Sequence, residues 1–472
     1  MKNFYNYIVI SGALLLLCAS CGVKPDFDKP KSKHDIPIFP FTNSNIEKYD
    51  KFVFDRNHVP LLLYKDSLIY YPVQYTQVAL HYYSNYSKTK SERIKNLFLQ
   101  QASYIKESLV VKDEFGVWEC KTLISPYDLE APWASSMAQS FGIGVMLQAY
   151  SLTKDKSYLF AAKQALNSYE VLIKDGGIKS IWDGYVHYEE YADSTSHVLN
   201  GYIFSLGGLY YYYQLTGSKQ ALSLFEQGIE SLSVKLKDYD AGFTSFYSLI
   251  THTGQYPYDS ANGTRPDHYH ELVVQQLATL YVWTGNRIFY EYAYKFYQQD
   301  LGGFHDNETP NKFKSISASK SIIASTHGPD NLLNPNWTYG NYWSTNKFPT
   351  ELVIDLGARK KNIKKLVLYG LSEETLPKEF KIYIKNNNIW DLANTSQDIL
   401  RTHDTKFKTR HHKTLVREYD LFGIFEGDKI KIVFTVPNSQ TVALRNINIF
   451  FDQREEFKKL VNKIVSSQED KE

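Results

Sequence analysis

The sequence predicts an array of helical hairpins followed by a β-sandwich, and two observations predict it. Between residues 49 and 304 a long helix, a tight turn and a second long helix recur, as in an α/α-toroid. Residues 313–452 lose the helical period and gain short alternating apolar segments with turn signals between them. The expected fold class is therefore an incomplete helical-hairpin barrel followed by a β-sandwich.

The first residues are typical of an export signal. Lys2 precedes a short apolar run, Ile8 to Leu17, which is too short to span a bilayer. The run ends in Leu17-Cys-Ala-Ser-Cys21, which is similar to the lipobox of bacterial lipoproteins. That resemblance implies a signal peptide over residues 1–21, lipidation of Cys21 and a tether over residues 22–48. The protein would then sit in the cell envelope on a lipid anchor, with the membrane face left open. A plain secretory signal cut after Ser20 is the alternative.

The composition excludes some partners and favours others. The net charge of +2 over 472 residues gives no nucleic-acid footprint. Aromatic residues make up 15% of the chain, with 38 tyrosines, and such rings suit clefts that stack on sugars. Once the signal is removed, Cys120 is the one cysteine of the folded part, so no disulfide within the chain is expected.

Four helical hairpins are predicted in the first domain. Long polar and aromatic loops at 118–131, 174–197 and 240–271 separate them, so one end of the array is the expected functional face. The paired segments are 73–83 with 90–109, 133–150 with 157–173, 198–215 with 219–236, and 272–284 with 288–300.

The stretch 182–214 stands out within these loops. Glu189 and Glu190 lie among four aromatic rings, those of Trp182, Tyr185, Tyr188 and Tyr191. Rings stack on the apolar faces of sugars and carboxylates move protons, so this pattern indicates a carbohydrate site. Tyrosines that only pack a core are the alternative interpretation.

The second domain is predicted from five alternating segments. They are followed by a charged tail over residues 453–472. The segments are 351–356, 365–369, 380–384, 429–434 and 445–451.

The helical region, residues 71–300, resembles the C-terminal domain of the D-glucuronyl C5-epimerases. The resemblance implies conversion of glucuronic to iduronic acid in a heparosan-like polysaccharide, without a cofactor. Animal members carry a β-domain inserted after the first helix, and here a short polar loop takes its place. The matching stretches are Tyr71-Pro-Val73 with Gln77, Trp133-Ala-Ser-Ser-Met-Ala-Gln139, Glu189-Glu-Tyr191, Val198-Leu-Asn-Gly201, Ser205-Leu206, Gly208-Leu-Tyr210, Tyr239-Asp240, Ser245-Phe-Tyr247 and Tyr269-His270.

Residues 313–452 resemble the discoidin, or coagulation-factor 5/8 C-type, domain. In bacterial enzymes such jelly rolls often bind glycans, and a domain that only packs on its neighbour is the alternative. The matching motifs are Asn331-Leu-Leu, Tyr342-Trp-Ser344, Glu351-Leu-Val-Ile-Asp-Leu-Gly357, and Pro377 before Phe380-Lys-Ile-Tyr383.

The resemblance implies the catalytic residues. Epimerisation at C5 removes a proton beside a carboxylate and returns one from the opposite face, so two proton-transfer groups must flank the ring. Glu190 matches the family's catalytic glutamate and Tyr191 the tyrosine beside it, while Tyr247 and Tyr269 match two further active-site tyrosines. One assignment places Glu190 on one face and Tyr269 on the other. Glu189 is expected in a supporting or solvent-facing role.

Five further residues are expected to bind substrate, namely Trp133, Gln139, Asn200, Arg265 and His270. The family has an arginine three positions after the tyrosine that matches Tyr247, and this chain has Ile250 there, so Arg265 is the expected substitute. Asn200 as a helix-start residue and His270 as a packed histidine are the alternatives.

No metal site is expected. The sequence separation of His187 and His197 is not that of zinc ligands.

Two other functions compete with epimerisation. A polysaccharide lyase removes the same proton and then expels the O4 substituent, while a non-catalytic surface lipoprotein would only bind the glycan. A glycosidase is disfavoured, because no second carboxylate stands out as a partner of Glu190. A homodimer is a further possible assembly.

Overall fold

The computed structural model describes residues 39–40, 52–122, 129–240, 245–249, 266–301, 315–322, 324–333, 341–360, 362–408 and 413–469. Several predictions fall outside these residues: the signal over 1–21 with Cys21, most of the tether, Ile250 and Arg265.

The predicted helical hairpins are confirmed. Helices α1, α3, α5 and α7 pack on one another in chain order, and each of them also packs on the helix that follows it. None of the described helices has the length and apolar character that crossing a membrane requires. The helices of this region are α1 (Pro72–Thr89), α2 (Glu92–Glu107), α3 (Ser136–Thr153), α4 (Lys156–Asn167), α5 (Leu199–Thr216), α6 (Lys219–Lys235), α7 (Pro266–Thr284) and α8 (Arg287–Leu301).

The central helices are buried on nearly every side. All residues of α3 from Ser136 to Ala149 are buried, as are most of those of α5, whereas α4 and α6 bury only one face. A helix that is apolar all round belongs in the middle of a domain, and an amphipathic one at its surface. The apolar pattern of α3 and α5 therefore favours the interior of the domain, and the amphipathic pattern of α4 and α6 favours its surface.

Short β-hairpins fill the connections between helices. The hairpin β8–β9 turns at Asp183-Gly184, where both residues have positive φ (49° and 84°) as a two-residue hairpin turn requires. The hairpin lies in the segment 174–197, where a long loop was expected, and Asp-Gly is a signal for such a turn. The strands are β1 (Val53–Phe54), β2 (Pro60–Tyr64), β3 (Ser67–Ile69), β4 (Val110–Lys112), β5 (Phe115–Val117), β6 (Glu119–Cys120), β7 (Trp133–Ala134), β8 (Lys179–Trp182) and β9 (Tyr185–Tyr188).

The second region is a sandwich of two antiparallel five-stranded sheets. Their strand orders are β10-β12-β18-β14-β15 and β11-β19-β13-β17-β16, and they enclose their own apolar core. The five predicted strands are confirmed as β12, β13, β14, β18 and β19. The strands are β10 (Ser315–Ala318), β11 (Trp343–Thr345), β12 (Thr350–Lys360), β13 (Ile363–Gly370), β14 (Pro377–Asn386), β15 (Ile389–Thr395), β16 (Leu400–Lys408), β17 (Lys413–Asp420), β18 (Gly427–Pro437) and β19 (Val442–Phe451).

The charged tail forms a helix that returns to the helical region. A short helix, α9 (Ala324–His327), precedes the sandwich core, and α10 (Arg454–Glu469) packs on α7 and α8. Phe457 is fully buried there, with its ring 5.2–5.4 Å from those of Tyr290, Tyr294 and Tyr297. In the sequence, the sandwich therefore lies between two parts of one helical core, helices α1–α8 and helix α10.

Candidate active site

The site is built around the first turn of α5, where three segments of the chain meet. Glu189 and Glu190 directly follow strand β9. The carbonyl oxygen of Glu189 accepts a hydrogen bond from the N–H of Ser136 at the start of α3 (3.0 Å). The segment 245–249 docks on the other side, because the N–H of Leu199 donates to the carbonyl oxygen of Tyr247 (2.9 Å). Residues far apart in sequence thereby converge on one helix end.

Glu190 lies against this turn and is only 5% exposed. A methyl group on Gly201 would overlap the Glu190 carboxylate and come within 2.6 Å of its Cβ, so the absent side chain makes the space for it. Among the described residues Glu190 Oε2 has no hydrogen-bond partner. Burial raises the pKa of Glu190 to about 7, and a hydrogen bond with Tyr191 partly offsets that rise. Such a carboxyl can take up and return a proton near neutral pH.

An aromatic cluster lies beside Tyr191, the hydrogen-bond partner of Glu190. The rings of Trp133 and Tyr191 lie 5.7 Å apart, and both pack in this cluster with Tyr71, Val198 and Tyr247. Tyr71 was recognised only as part of a matching stretch. The structure therefore groups Trp133, Tyr191 and Tyr247, and Tyr191 connects this group to Glu190.

Tyr269 extends this arrangement to the surface. Its ring centroid lies 5.1 Å from that of Tyr247, and it is 39% exposed, in the first turn of α7. Trp133 also lines a neighbouring pocket of about 230 Å³ whose lining does not include Glu190. Tyr269 thus continues the aromatic cluster that contains Tyr191, the hydrogen-bond partner of Glu190.

The structure contradicts the prediction that Gln139 binds substrate. It is fully buried in α3, its amide nitrogen donates to the carbonyl oxygen of Gly116 (2.8 Å) and to Ser168 Oγ (3.0 Å), and its oxygen accepts from the N–H of Trp118 (2.9 Å). With its hydrogen-bonding groups used inside the protein, Gln139 holds the Trp118 loop and has no surface for substrate.

His270 is placed as the packed histidine of the alternative interpretation. It is 2% exposed, its Nδ1 accepts from the N–H of Ser245 (2.9 Å), and its Nε2–H donates to the carbonyl oxygen of Phe296 (2.9 Å). Burial lowers its pKa to about 4. His270 therefore pins the segment that carries Tyr247 and does not face the substrate.

Asn200 stays within reach of the site. It is 3% exposed, its Oδ1 has no partner among the described residues, and its carbonyl oxygen accepts from Gln276 Nε2 (3.1 Å). Asn200 is the second residue of α5, next to the glycine that Glu190 touches. An unpaired buried amide oxygen here is suited to accept a donor from a ligand.

Glu189 lies inside the protein, so the solvent-facing role expected for it is wrong, and a supporting role stays a prediction. It is fully buried and accepts hydrogen bonds from Ser180 Oγ (2.7 Å), Ser196 Oγ (3.0 Å) and the N–H of His197 (3.0 Å). Burial opposes its ionisation, but His187 and His197 outweigh burial and hold the pKa of Glu189 below its usual range. The two adjacent glutamates thus have opposite electrostatic environments.

The structure also brings together His187, Glu189 and His197, although the sequence separation of the two histidines is not that of zinc ligands. One ligand atom of each lies within 4.8 Å of the others. Residues 187 and 189 project to the same side of an extended chain, and this alternation was the available signal. Gly201 was missed as a site residue too, although a glycine inside a helix usually has a packing reason.

Fold and site together define a helical-hairpin domain with a buried carboxyl group, neighbouring tyrosines and a linked β-sandwich. Residues 112–298 match the sequence profile of the family described as D-glucuronyl C5-epimerase C-terminus. The recognition of this family in the helical region is confirmed, with the matched segment beginning after α2.

Two relatives show how far the similarity extends. The D-glucuronyl C5-epimerase of Caenorhabditis elegans is 35% identical over 130 residues, which cover 25% of this chain and 21% of the worm protein. An uncharacterised protein of Methanocaldococcus jannaschii is 28% identical over 225 residues, which cover 44% of this chain and 70% of that protein. The chain therefore spans about a fifth of the worm enzyme.

Solved structures resemble the other part of the chain. A family 32 carbohydrate-binding module of C. perfringens NanJ, in complex with galactose, is 16% identical with a TM-score of 0.23, covering 29% of this chain and 92% of the module. The corresponding module of AlyQ, in complex with 4,5-unsaturated mannuronic acid, is 14% identical with a TM-score of 0.23, covering 30% and 98%.

Proposed function

We propose that the helical domain epimerises glucuronic acid residues at C5 within a uronic-acid polysaccharide of the heparosan type. The observation that carries the proposal is the Glu190 carboxyl, buried against Gly201 with an oxygen free of partners among the described residues. The family match over residues 112–298 supports the reaction class.

The geometry supports two proton-transfer groups. Glu190 would serve one face of C5 and Tyr269, the accessible tyrosine, the other. Tyr191, which hydrogen-bonds Glu190, and Tyr247, which contacts Tyr269, would position or relay. Asn200 Oδ1 would accept a hydroxyl hydrogen bond from the sugar, since it lacks a partner among the described residues.

The architecture proposed for this domain is an incomplete α/α-toroid. The consecutive packing of α1, α3, α5 and α7, with a second helix outside each, supports it. The lipid anchor at Cys21 remains part of the same proposal, because an envelope location would expose the site to an extracellular polymer.

The test is hydrogen exchange at C5 in deuterated water. Heparosan-like, chondroitin-like and bacterial capsular uronate polymers are incubated with the protein, and deuterium at C5 is measured by NMR together with the appearance of iduronic acid. We expect deuterium incorporation without chain cleavage. An unsaturated product that absorbs in the ultraviolet would assign the lyase reaction instead, and binding without exchange would leave a glycan-binding protein.

Two variants locate the chemistry. Glu190→Gln and Tyr269→Phe should each lower exchange by about 10²–10⁴-fold, the usual contribution of a general acid or base, while polymer binding changes little. Tyr185→Phe, on the same hairpin but outside the site, is the matched control and should keep full exchange. Equal exchange in Glu190→Gln and the control would remove Glu190 from the mechanism.

A further inference from the structure

A second cluster lies behind the catalytic carboxyl, formed by His187, Glu189 and His197. All three residues are at most 7% exposed. Glu189 Oε1 lies 2.8 Å from His197 Nδ1 and 3.2 Å from His187 Nδ1, so both imidazoles approach the same oxygen. This convergence has no counterpart in the proton transfer proposed above.

The protons of this cluster can be followed from Tyr239. Its hydroxyl has a single proton, which it donates to the carbonyl oxygen of His197 (2.9 Å). His187 Nε2 lies 3.5 Å from the same hydroxyl oxygen, which can accept from Nε2 in the tautomer that carries the proton there. In that tautomer His187 Nδ1 is a lone pair, because a neutral imidazole has only one N–H.

That lone pair faces an electron-rich atom. Although His187 Nδ1 is buried and only 3.2 Å from Glu189 Oε1, it makes no hydrogen bond among the described residues. A lone pair that meets a carboxylate oxygen is repelled unless a positive charge lies between them. Either a second proton on His187 or a metal cation shared with His197 and Glu189 would resolve the conflict.

We propose that His187 Nδ1, His197 Nδ1 and Glu189 bind one divalent transition-metal ion, with Zn²⁺ as the fitting cation. Two imidazole nitrogens and one carboxylate are a set that zinc takes in proteins. Two of the separations between these atoms are 2.8 Å and 3.2 Å, so the ligand atoms would move slightly apart to surround an ion about 2.0–2.2 Å from each. Binding would displace the proton that His197 Nδ1 now shares with Glu189.

The surroundings match those of a ligand set held in place. The N–H of His197 and Ser196 Oγ both donate to Glu189 Oε2, while Oε1 accepts from Ser180 Oγ and also faces the imidazoles. Histidine ligands usually donate their second N–H to an acceptor, and the Tyr239 hydroxyl, 3.5 Å from His187 Nε2, is the acceptor available here. The imidazoles are also clamped by rings, with Trp182 stacked on His197 at 4.2 Å and Tyr202 on His187 at 3.9 Å.

The role of this ion would be structural. The three ligands span residues 187–197, with His187 in β9 and His197 just before α5, and the segment between them carries Glu190 and Tyr191. His197 there has a φ of 42°, an uncommon backbone conformation for a residue other than glycine. A metal that ties the two ends of the segment together would hold the catalytic carboxyl in position.

Metal content tests the proposal directly. The purified protein is dialysed against metal-free buffer, and zinc is measured by mass spectrometry. We expect one zinc per chain, a lower thermal midpoint after chelation, and recovery on adding Zn²⁺ alone. Cobalt should replace zinc and give a visible d–d absorption. None of these readouts depends on epimerase activity.

Variants then assign the ligands. His187→Gln should lose the stoichiometric zinc, whereas His81→Gln, a buried histidine on α1, should keep it. Zinc-free wild-type protein whose midpoint does not respond to Zn²⁺ overturns the proposal even if the variants fail to fold. In that case ¹⁵N NMR should show His187 protonated on both nitrogens, and the cluster would be an ion pair alone.

Discussion

At the residue scale, the site depends on one missing side chain. Gly201 sits in the first turn of α5, where any Cβ would overlap the carboxyl group of Glu190. Because the helix backbone cannot retreat without losing contact with Tyr247, the carboxyl would have to move. The position of the Glu190 carboxyl group therefore depends on the absence of a side chain at Gly201.

We predict that Gly201→Ala lowers C5 exchange by roughly tenfold or more, since displacements of about 1 Å at a reacting group cost up to ~10²-fold. Exchange is measured at a temperature where the variant is fully folded by circular dichroism. Gly208→Ala, elsewhere in α5, is the control, because it disturbs packing without reaching Glu190. Full exchange in folded Gly201→Ala would show that the carboxyl has room to move.

A second residue-scale prediction concerns pH. Folded His270 has a pKa of about 4, against about 6.5 unfolded, because burial disfavours its charged form. Asp240, paired with Lys295, is the charged group that opposes this shift. The folded state binds fewer protons in this window, so stability is complete above pH 6.5 and falls as the pH drops towards 4, by on the order of 3 kcal/mol.

Thermal midpoints between pH 7 and 4 measure this dependence. His270→Gln removes the titrating group, and we expect its midpoint to fall less steeply over that range than the wild-type midpoint. Identical slopes for the two proteins would assign the pH dependence to other groups.

Sequence reasoning reached some of these residues and not others. Glu190, Tyr191, Tyr247 and Tyr269 were named through a family resemblance, since nothing in their spacing alone shows that they meet. Gln139 was misassigned because a polar residue in a matching stretch looks the same whether it faces a substrate or a backbone carbonyl. The difference depends on tertiary contacts, which residue order does not contain.

At the element scale, the helices follow closely from their patterns. Apolar periodicity predicted each hairpin. The helix boundaries carry typical residues, with Pro72 at the first position of α1 and Gly217 after the end of α5. Of the sandwich strands that were missed, β10, β11, β15 and β16 lie at sheet edges, and β15 has an exposed, irregular pattern, whereas β17 lies inside its sheet. Alternation is weak where neither face is fully covered.

The close crossing of α3 and α5 gives a prediction at this scale. A Cβ on Gly208 would overlap Ser140 Oγ and come within 2.8 Å of Ser140 Cα, which is backbone and cannot rotate away. In an open helix, glycine to alanine stabilises by about 0.5–1 kcal/mol. Here we expect Gly208→Ala to destabilise by about 1–3 kcal/mol, as overpacking does.

Chemical denaturation of the wild type and Gly208→Ala checks this sign. A more stable variant would mean that the two helices separate easily, and that the glycine is not required for their contact.

At the scale of the whole molecule, the sequence predicted two domains and a tail, and the tail joins the helical core. The apolar residues of 453–472 are few, and their pattern gave no partner. Phe457 packs among rings of α8, and the hydroxyl of Tyr294 both donates to Asp452 (3.1 Å) and accepts from the N–H of Gln453 (3.0 Å).

We predict that Phe457→Ala destabilises the helical domain by about 3 kcal/mol, as expected for a fully buried phenylalanine. The midpoint of the helical transition, followed by far-ultraviolet circular dichroism, reports the loss. Lys459→Ala, on the exposed side of α10, should leave that midpoint unchanged. A sandwich transition that shifts while the helical one stays fixed would contradict the docking of α10.

The docking of α10 makes the β-sandwich an insertion within the helical domain. Part of the surface of α7 and α8 is covered by α10, a segment that is synthesised after the whole sandwich. Cutting the chain between α8 and β10 would therefore separate helices α1–α8 from α10 and expose the tyrosine rings that contact Phe457. The order of synthesis couples the two domains, because the first to emerge is completed only after the second.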